Sequence, residues 1–250
     1  MPSREAAFVS RKKWFPYNKG GGYRKWYGNH QYVINWEKDG FEIKNFKGSA
    51  IRNTQFYFKK GISWCKVTGN HFSMRFIPQG FLFDVAGCTL FVKEQDIFYV
   101  LGYMNSCVNT FILSFVSPTL NCEVGHIASL PILFDEAKRK EIETLVCENI
   151  VLCKKDWDSF ELSYDFQCHP LIRRTDKIEQ AFLKWQTECN THFYQLKDNE
   201  ERLNSIFIEI YNLQKELSPF VKEKEVSIHK AELQRDIKSL ISYVVGCLFG

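Results

Sequence analysis

The chain has 250 residues, 45% hydrophobic and 16% aromatic, which is enough apolar material for a substantial core and excludes wholesale disorder. No run of about 18 apolar residues is present to form a membrane-spanning helix, and the opening Met-Pro-Ser-Arg-Glu lacks the apolar stretch of a signal peptide. The net charge of +4 conceals an asymmetry: residues 1–80 carry 15 Lys+Arg against 4 Asp+Glu, and the remainder carries 18 against 25. A basic half joined to an acidic half is expected where one half meets nucleic acid. The competing reading is that acidic helices simply balance a basic sheet-forming half.

In chain order, residues 14–100 read as β-rich. Residues 31–36 form a compact apolar strand, followed by a turn at Lys38-Asp39-Gly40. Residues 41–46 alternate apolar and polar as a half-buried strand does. Residues 55–58 and 62–67 are further strands, and Thr68-Gly69-Asn70 is a turn. Residues 72–77 alternate again and stop at Pro78-Gln79-Gly80; 81–84 and 88–92 complete the strands. The period then changes. Residues 95–116 predict one helix buried on most faces, stopped at Ser117-Pro118, with a loop over 119–129. Asp135 caps a helix of about 136–153 that turns Ile142, Leu145, Val146, Ile150 and Cys153 inward. From Ile178 through Leu196 and Leu203 to Leu217, apolar residues recur at 3- and 4-residue steps with one skipped position near Asn199, a heptad seam read as an intramolecular helical pair in preference to the competing coiled-coil spacer. Ser218-Pro219 ends it, and a last helix runs from Lys230 to Phe249. The fold class is therefore α+β: a basic, aromatic-rich β module with its closing helix over 1–116, and a helical region over 117–250. The apolar end Cys247-Leu248-Phe249-Gly250 reads as a cut edge.

Nine cysteines without a CxxC pair point to reduced thiols of a cytoplasmic protein rather than to zinc ligands or disulfides. Gly20-Gly21-Gly22 lacks the Gly-Lys-Ser/Thr of a P-loop and the spacing of a dinucleotide fingerprint. No Asn-Pro-Pro-Tyr, Gly-x-Ser-x-Gly or HExxH is present. Glu37, Asp39 and Glu42 beside Lys44 are a faint metal constellation, and Asp39-Gly40 reads better as a turn. No catalytic and no metal-binding residue is assigned. The densest chemistry lies in Lys19-Gly20-Gly21-Gly22-Tyr23-Arg24-Lys25-Trp26-Tyr27-Gly28-Asn29, where glycines permit close approach, cations neutralise phosphate and aromatics can stack. A bland charged hairpin is the equal alternative for this stretch.

The segment from Lys13-Trp14-Phe15-Pro16-Tyr17-Asn18 through Asn29 resembles a signature of PglX, the adenine-specific DNA methyltransferase family of BREX phage-defence systems, related to fused restriction–modification enzymes. Tyr32 to Glu37, Pro118 to Gly125, Lys155 to Glu161, Ile208 to Leu213 and Arg235 to Cys247 resemble the same family, in collinear order. The resemblance implies a large protein whose N-terminal domain binds S-adenosylmethionine and flips adenine, and whose C-terminal part holds a target-recognition domain and helical spacers. This sequence resembles only the second part, a fragment of the family's length. The implied cofactor, S-adenosylmethionine, belongs to the full-length family and none is expected in this chain. The implied partner is double-stranded DNA, with a separate methyltransferase half or other BREX components beside it, and no membrane. Residue chemistry selects the candidate DNA contacts. Arg24 and Arg52 can fork onto guanine, and Asn53 can pair with adenine. Lys19, Lys25, Lys44 and Lys47 suit phosphates; Lys66 and Arg75 join them, and Trp26 and Tyr27 either stack on bases or pack in a sheet core. Two other readings stay open: a non-catalytic module that pairs with a separate methyltransferase half, and an inactive gene remnant.

Overall fold

Ser3 starts the first helix, α1 (Arg4–Val9), by accepting the Ala6 amide on its hydroxyl. The chain then forms β1 (Trp14–Asn18), β2 (Tyr32–Asn35) and α2 (Glu37–Asn45). This is a computed structural model, and it describes residues 3–67, 71–117 and 121–249. The turn expected at Thr68-Gly69-Asn70 and the stop expected at Pro118 lie outside the described residues.

The helical state of residues 41–45 corrects the strand expected there. Lys38, Asp39 and Gly40 turn the chain through the left-handed region, with φ of 48°, 61° and 74°. That matches the expected turn, but residues 41–45 then coil. Asp39 accepts from Lys44 at 2.6 Å and from the Arg4 guanidinium. Five residues of helix advance about 7.5 Å, whereas five of strand advance about 17 Å. Only the coiled form brings the Lys44 ammonium back to Asp39. Ile43 alone of this segment packs inward, so the apolar alternation had no sheet face to enforce it. Residues 55–58 are likewise not a strand. A single 3₁₀ turn covers Thr54–Phe56, and Phe58 sits at φ 67°, exchanging backbone hydrogen bonds with residues 80 and 81.

Four strands follow: β3 (Gly61–Cys65), β4 (Met74–Ile77), β5 (Leu82–Phe83) and β6 (Gly87–Leu90). They complete two three-stranded sheets. The first has order β2-β1-β5, with β1 antiparallel to β2 and parallel to β5; the second has order β4-β3-β6 and is wholly antiparallel. Asn18, fully buried at the end of β1, joins them by donating to Ser63 Oγ at 2.7 Å and to the Gly87 carbonyl at 3.1 Å. The first sheet turns Phe15 into a small core with Ala7, Trp36, Tyr57, Phe58 and Leu82. Its other face leaves Trp14 and Val33 exposed.

The helix expected over 95–116 is two, α3 (Ile97–Met104) and α4 (Cys107–Val116). Asn105 explains the break: its amide accepts from the Met74 N–H at 2.9 Å and donates to the Met74 carbonyl at 3.0 Å, so it pairs with β4 as an extra strand residue would. Ser106 then caps α4 by accepting the Asn109 amide. A short helix, α5 (Val124–Ala128), occupies part of the expected loop. Asp135 caps α6 (Glu136–Trp157) as expected, and α7 runs over Ile178–Ile210. The seam of α7 packs on α6 within the chain, and the skipped position is a buried polar contact, Asn199 Nδ2 to Asn149 Oδ1 at 3.0 Å. α7 ends seven residues before Leu217 because Asn212 takes a left-handed conformation (φ 55°) and Leu213 N–H closes back on the Ile208 carbonyl. The last helix, α8, covers Leu233–Phe249.

The protein is thus α+β. One large core contains Trp26, Trp64 and Met74 from the sheet region together with α3, Ile142 and Val146 of α6, and Leu196, Leu203 and Phe207 of α7. No helix among the described residues is by itself long and apolar enough to cross a membrane.

Candidate nucleic-acid interface

The glycine-rich segment after β1 begins at the surface and then dives. Gly20 (φ 85°) and Gly21 (φ 146°) adopt conformations that favour glycine, and a Cβ on Gly21 would lie 2.5 Å from the Asn29 amide nitrogen. That amide donates to the Gly22 carbonyl at 2.9 Å and closes the loop. Every side chain from Tyr23 to Tyr27 then turns toward the protein. Tyr23 donates to the Glu225 carbonyl at 2.8 Å. Arg24 donates to Asp156 Oδ2 on α6 at 2.6 Å and to the carbonyls of Tyr27 and Cys153, with its guanidinium 5.2 Å from the Trp157 ring. Lys25 Nζ meets Glu200 Oε2 of α7 at 2.8 Å, and the Trp26 indole N–H donates to Glu200 Oε1 at 2.6 Å. The backbone of Trp26 pairs with Met74 and Phe76, adding a residue to the edge of β4.

These contacts set the local electrostatics. Burial opposes the charged form of Lys25, and the Glu200 carboxylate outweighs it, so the ammonium pKa stands above its ordinary value. Burial would raise Asp156, but His229 and Arg24 outweigh it and hold the carboxyl below its ordinary range. His30 lies beneath the segment between the rings of Tyr27 and Phe81, each 4.7 Å away. Burial, then Arg75 and Arg24, push its pKa down to about 3, so it is a neutral core histidine.

Five of the eleven candidate contacts therefore occupy the interior, which corrects their assignment to a DNA-facing surface. Arg24 (5% exposed), Lys25 (9%), Trp26 (1%) and Tyr27 (9%) clamp the sheet region to α6 and α7. Arg75 is fully buried in β4, its guanidinium beside the Arg24 carbonyl and the Cys65 thiol. For Trp26 and Tyr27 it is the core alternative that holds. Part of the basic–acidic asymmetry is consumed in the same way, by Arg24–Asp156, Lys25–Glu200, Lys60–Glu94 and Lys66–Glu123.

The other six candidates lie at the surface. Lys66, half-buried, is 3.1 Å from Glu123 at the start of α5. Lys19, Lys44, Lys47, Arg52 and Asn53 are exposed on the lobe built from α1, β1, β2 and α2. Lys19 caps the Tyr32 ring at 5.3 Å. The structure adds residues that composition alone did not single out. Lys12 and Lys13 are exposed, the Lys13 ammonium lies 5.5 Å from the exposed Trp14 ring, and Phe41 and Phe46 project from the lobe. The signal was present: Phe15 must face inward on β1, which sends Trp14 outward.

The lobe has four carboxylates, Glu5, Glu37, Asp39 and Glu42, and two of them are engaged. Asp39, lowered to about 2 by its hydrogen bond to Arg4 and then by Lys44, lies between those two cations, and Glu42 accepts from Asn35 at 2.7 Å. Among the described residues, no three His, Cys, Asp or Glu side chains converge as metal ligands. None of the nine cysteines is paired.

No protein-family model matches the chain. Two curated proteins are similar over almost all of it. The adenine-specific methyltransferase PglX of Lacticaseibacillus casei (strain Zhang) is 41% identical over 253 residues, covering 96% of this chain and 21% of that protein. The adenine-specific methyltransferase BrxX of Escherichia coli O9:H4 (strain HS) is 32% identical over 268 residues, covering 99% and 22%. The chain is therefore related, from one end to the other, to a stretch of these methyltransferases, and it spans about a fifth of their length.

Proposed function

We propose that this chain supplies the DNA-recognition part of an adenine-specific DNA methyltransferase of the BREX kind, with S-adenosylmethionine and base flipping belonging to a domain it does not contain. The observation that carries the reading is the exposed lobe. Lys12, Lys13, Lys19, Lys44, Lys47 and Arg52 are exposed on it together with Trp14, Phe41 and Phe46, and two of its four carboxylates, Asp39 and Glu42, are already held. Cations at this density neutralise phosphates, while Arg52 and Asn53 have the donor and acceptor patterns that read guanine and adenine edges. The buried clamps of Arg24 and Lys25 fix the segment that follows β1, and the second sheet it pairs with, on α6 and α7. A helical support of that kind would fix the angle at which a recognition module presents DNA to a catalytic domain.

Duplex binding at two salt concentrations tests this, using the wild-type chain and a Lys44→Glu/Lys47→Glu/Arg52→Glu variant. Binding should weaken steeply with salt. The variant should flatten the dependence of log K on log salt by about 3 if each cation meets one phosphate. Equal affinities and slopes for both chains would remove the lobe from the DNA contact.

A second reading has its own observation. α8 leaves Ile241, Val244, Val245, Leu248 and Phe249 exposed, an apolar stripe at 3- and 4-residue spacing that suits a helical partner. In this reading the stripe packs against the methyltransferase portion of the longer relatives. Size-exclusion chromatography of the chain with a separately produced methyltransferase portion should give co-elution, abolished by Ile241→Glu/Val245→Glu. Independent elution of the two would eliminate this reading.

A further inference from the structure

The tip of the exposed lobe has a built geometry. Ile43, near the end of α2, and Ile51 both pack on the small core. All seven residues between them, 44–50, are exposed. The tip is shaped by its own backbone: Phe46 N–H closes on the Ile43 carbonyl at 3.2 Å, Ser49 N–H closes on the Phe46 carbonyl at 3.1 Å, and the Ser49 hydroxyl donates to the Ile43 carbonyl. Gly48, at φ 93°, makes the return, with open space where a side chain would be. Phe46 is thereby held 73% exposed at the apex. Lys44 and Lys47 flank it, and Arg52 and Asn53 follow just past the second anchor. Neither Lys47 nor Arg52 has a carboxylate partner among the described residues.

An apolar ring exposed at a protein-binding tip is usually set among other apolar groups. Here Lys47 adjoins it in sequence and Lys44, paired with Asp39, lies two residues before it, and an apolar side chain flanked by phosphate-binding cations matches the way proteins open a base step. We infer that Phe46 is a wedge that enters a groove of duplex DNA and unstacks a base step, with Lys47 and Arg52 on the adjoining phosphates. The inference rests on the DNA-recognition reading above and adds a deformation step to it. Separating a stacked step lowers the cost of rotating a neighbouring base out of the helix, which adenine methylation requires.

The test uses the full chain with a duplex carrying donor and acceptor dyes at its ends and a 2-aminopurine at successive positions. Wild type, Phe46→Ala, Phe46→Leu and Lys47→Glu/Arg52→Glu are compared. Phe46 is exposed, so Phe46→Ala should keep the wild-type unfolding transition. Wild type should shorten the end-to-end distance and brighten 2-aminopurine at one step. Phe46→Ala should bind with the same salt slope yet lose more than half of both signals. Phe46→Leu, still an apolar wedge, should retain them. Lys47→Glu/Arg52→Glu should weaken binding and flatten its salt slope by about 2, without a change of distortion per bound duplex. Unchanged distortion in Phe46→Ala, or binding by wild type without distortion, would overturn the wedge, leave the DNA reading standing and reassign Phe46 to a protein contact. Absence of binding by the folded wild-type chain would overturn both.

Discussion

Glu200→Ala is expected to destabilise the protein by about 3–5 kcal/mol, the range for breaking a buried pair by removing one partner. Glu200 is 2% exposed and is the acceptor for two buried donors, Lys25 Nζ and the Trp26 indole N–H. Without it an ammonium is left with no counter-charge in the core, and the indole loses its acceptor. In a chain of this size the loss should lower the melting temperature by on the order of 10 °C. A rescue variant separates the charge from the packing. Lys25→Met with Glu200→Gln removes both charges together and leaves an amide oxygen to accept from Trp26. Replacing a buried pair by uncharged groups of similar volume is often neutral, so the double variant should recover most of the stability lost in Glu200→Ala. Urea unfolding of the wild type, Glu200→Ala and the double variant decides the matter. A Glu200→Ala midpoint equal to wild type would mean that solvent reaches Lys25 and the clamp contributes nothing. A double variant as unstable as the single would mean that the charges themselves are worth keeping.

The same clamp marks where the sequence was legible and where it was not. Asp135 before an amphipathic run, the strands at Tyr32–Asn35 and Met74–Ile77, and the seam of α7 could be read because each is a local pattern with one partner face. The helix at 41–45 could not, because an alternating apolar pattern names a strand only if a sheet lies beneath it. Here a carboxylate held by a cation from α1 decides instead. Asn105 and Asn212 are single polar residues whose effects, a helix break and a left-handed stop, depend on a strand edge or a carbonyl being in reach. The Arg24 and Lys25 environment is the extreme case. Their carboxylate partners lie 132 and 175 residues further along the chain. Residue chemistry identified two cations beside aromatic side chains, and it had no means of seeing which acids the fold would bring to them. The surface candidates Lys44, Lys47, Arg52 and Asn53 were accessible to that reasoning because their neighbours in space are largely their neighbours in sequence.

Arg24→Leu is expected to make the stability of the protein respond to pH with a definite sign. In the wild type the Asp156 carboxyl lies below its ordinary value. Burial pushes it up, and His229 and Arg24 together outweigh burial. A carboxyl lowered on folding contributes stability that is fully present above the unfolded pKa, near 3.9, and that is lost as pH falls through the folded value. Leucine at position 24 keeps the burial of Asp156 and removes the guanidinium 2.6 Å from it, leaving His229, so the folded pKa rises. At neutral pH the variant must then hold a desolvated carboxylate with its guanidinium partner gone and His229 remaining, and a cost of about 3 kcal/mol, the low end for a broken buried pair, is expected there. As the pH falls, the variant takes up the Asp156 proton before the wild type does. Its penalty is relieved as pH falls through the variant's raised pKa toward 3.9, a range in which the wild type still keeps its increment, so the two stabilities converge. Arg24→Leu/Asp156→Asn should show no such convergence relative to the wild type beyond the loss of the wild-type increment itself. It should also be more stable than Arg24→Leu at neutral pH, because no buried charge remains. Denaturant midpoints for the three chains at pH 7, 5.5 and 4.5 provide the measurement. A gap between wild type and Arg24→Leu that stays constant across this range would mean that Asp156 does not titrate between them, and that Arg24 contributes through its packing on Trp157 and its carbonyl contacts rather than through its charge.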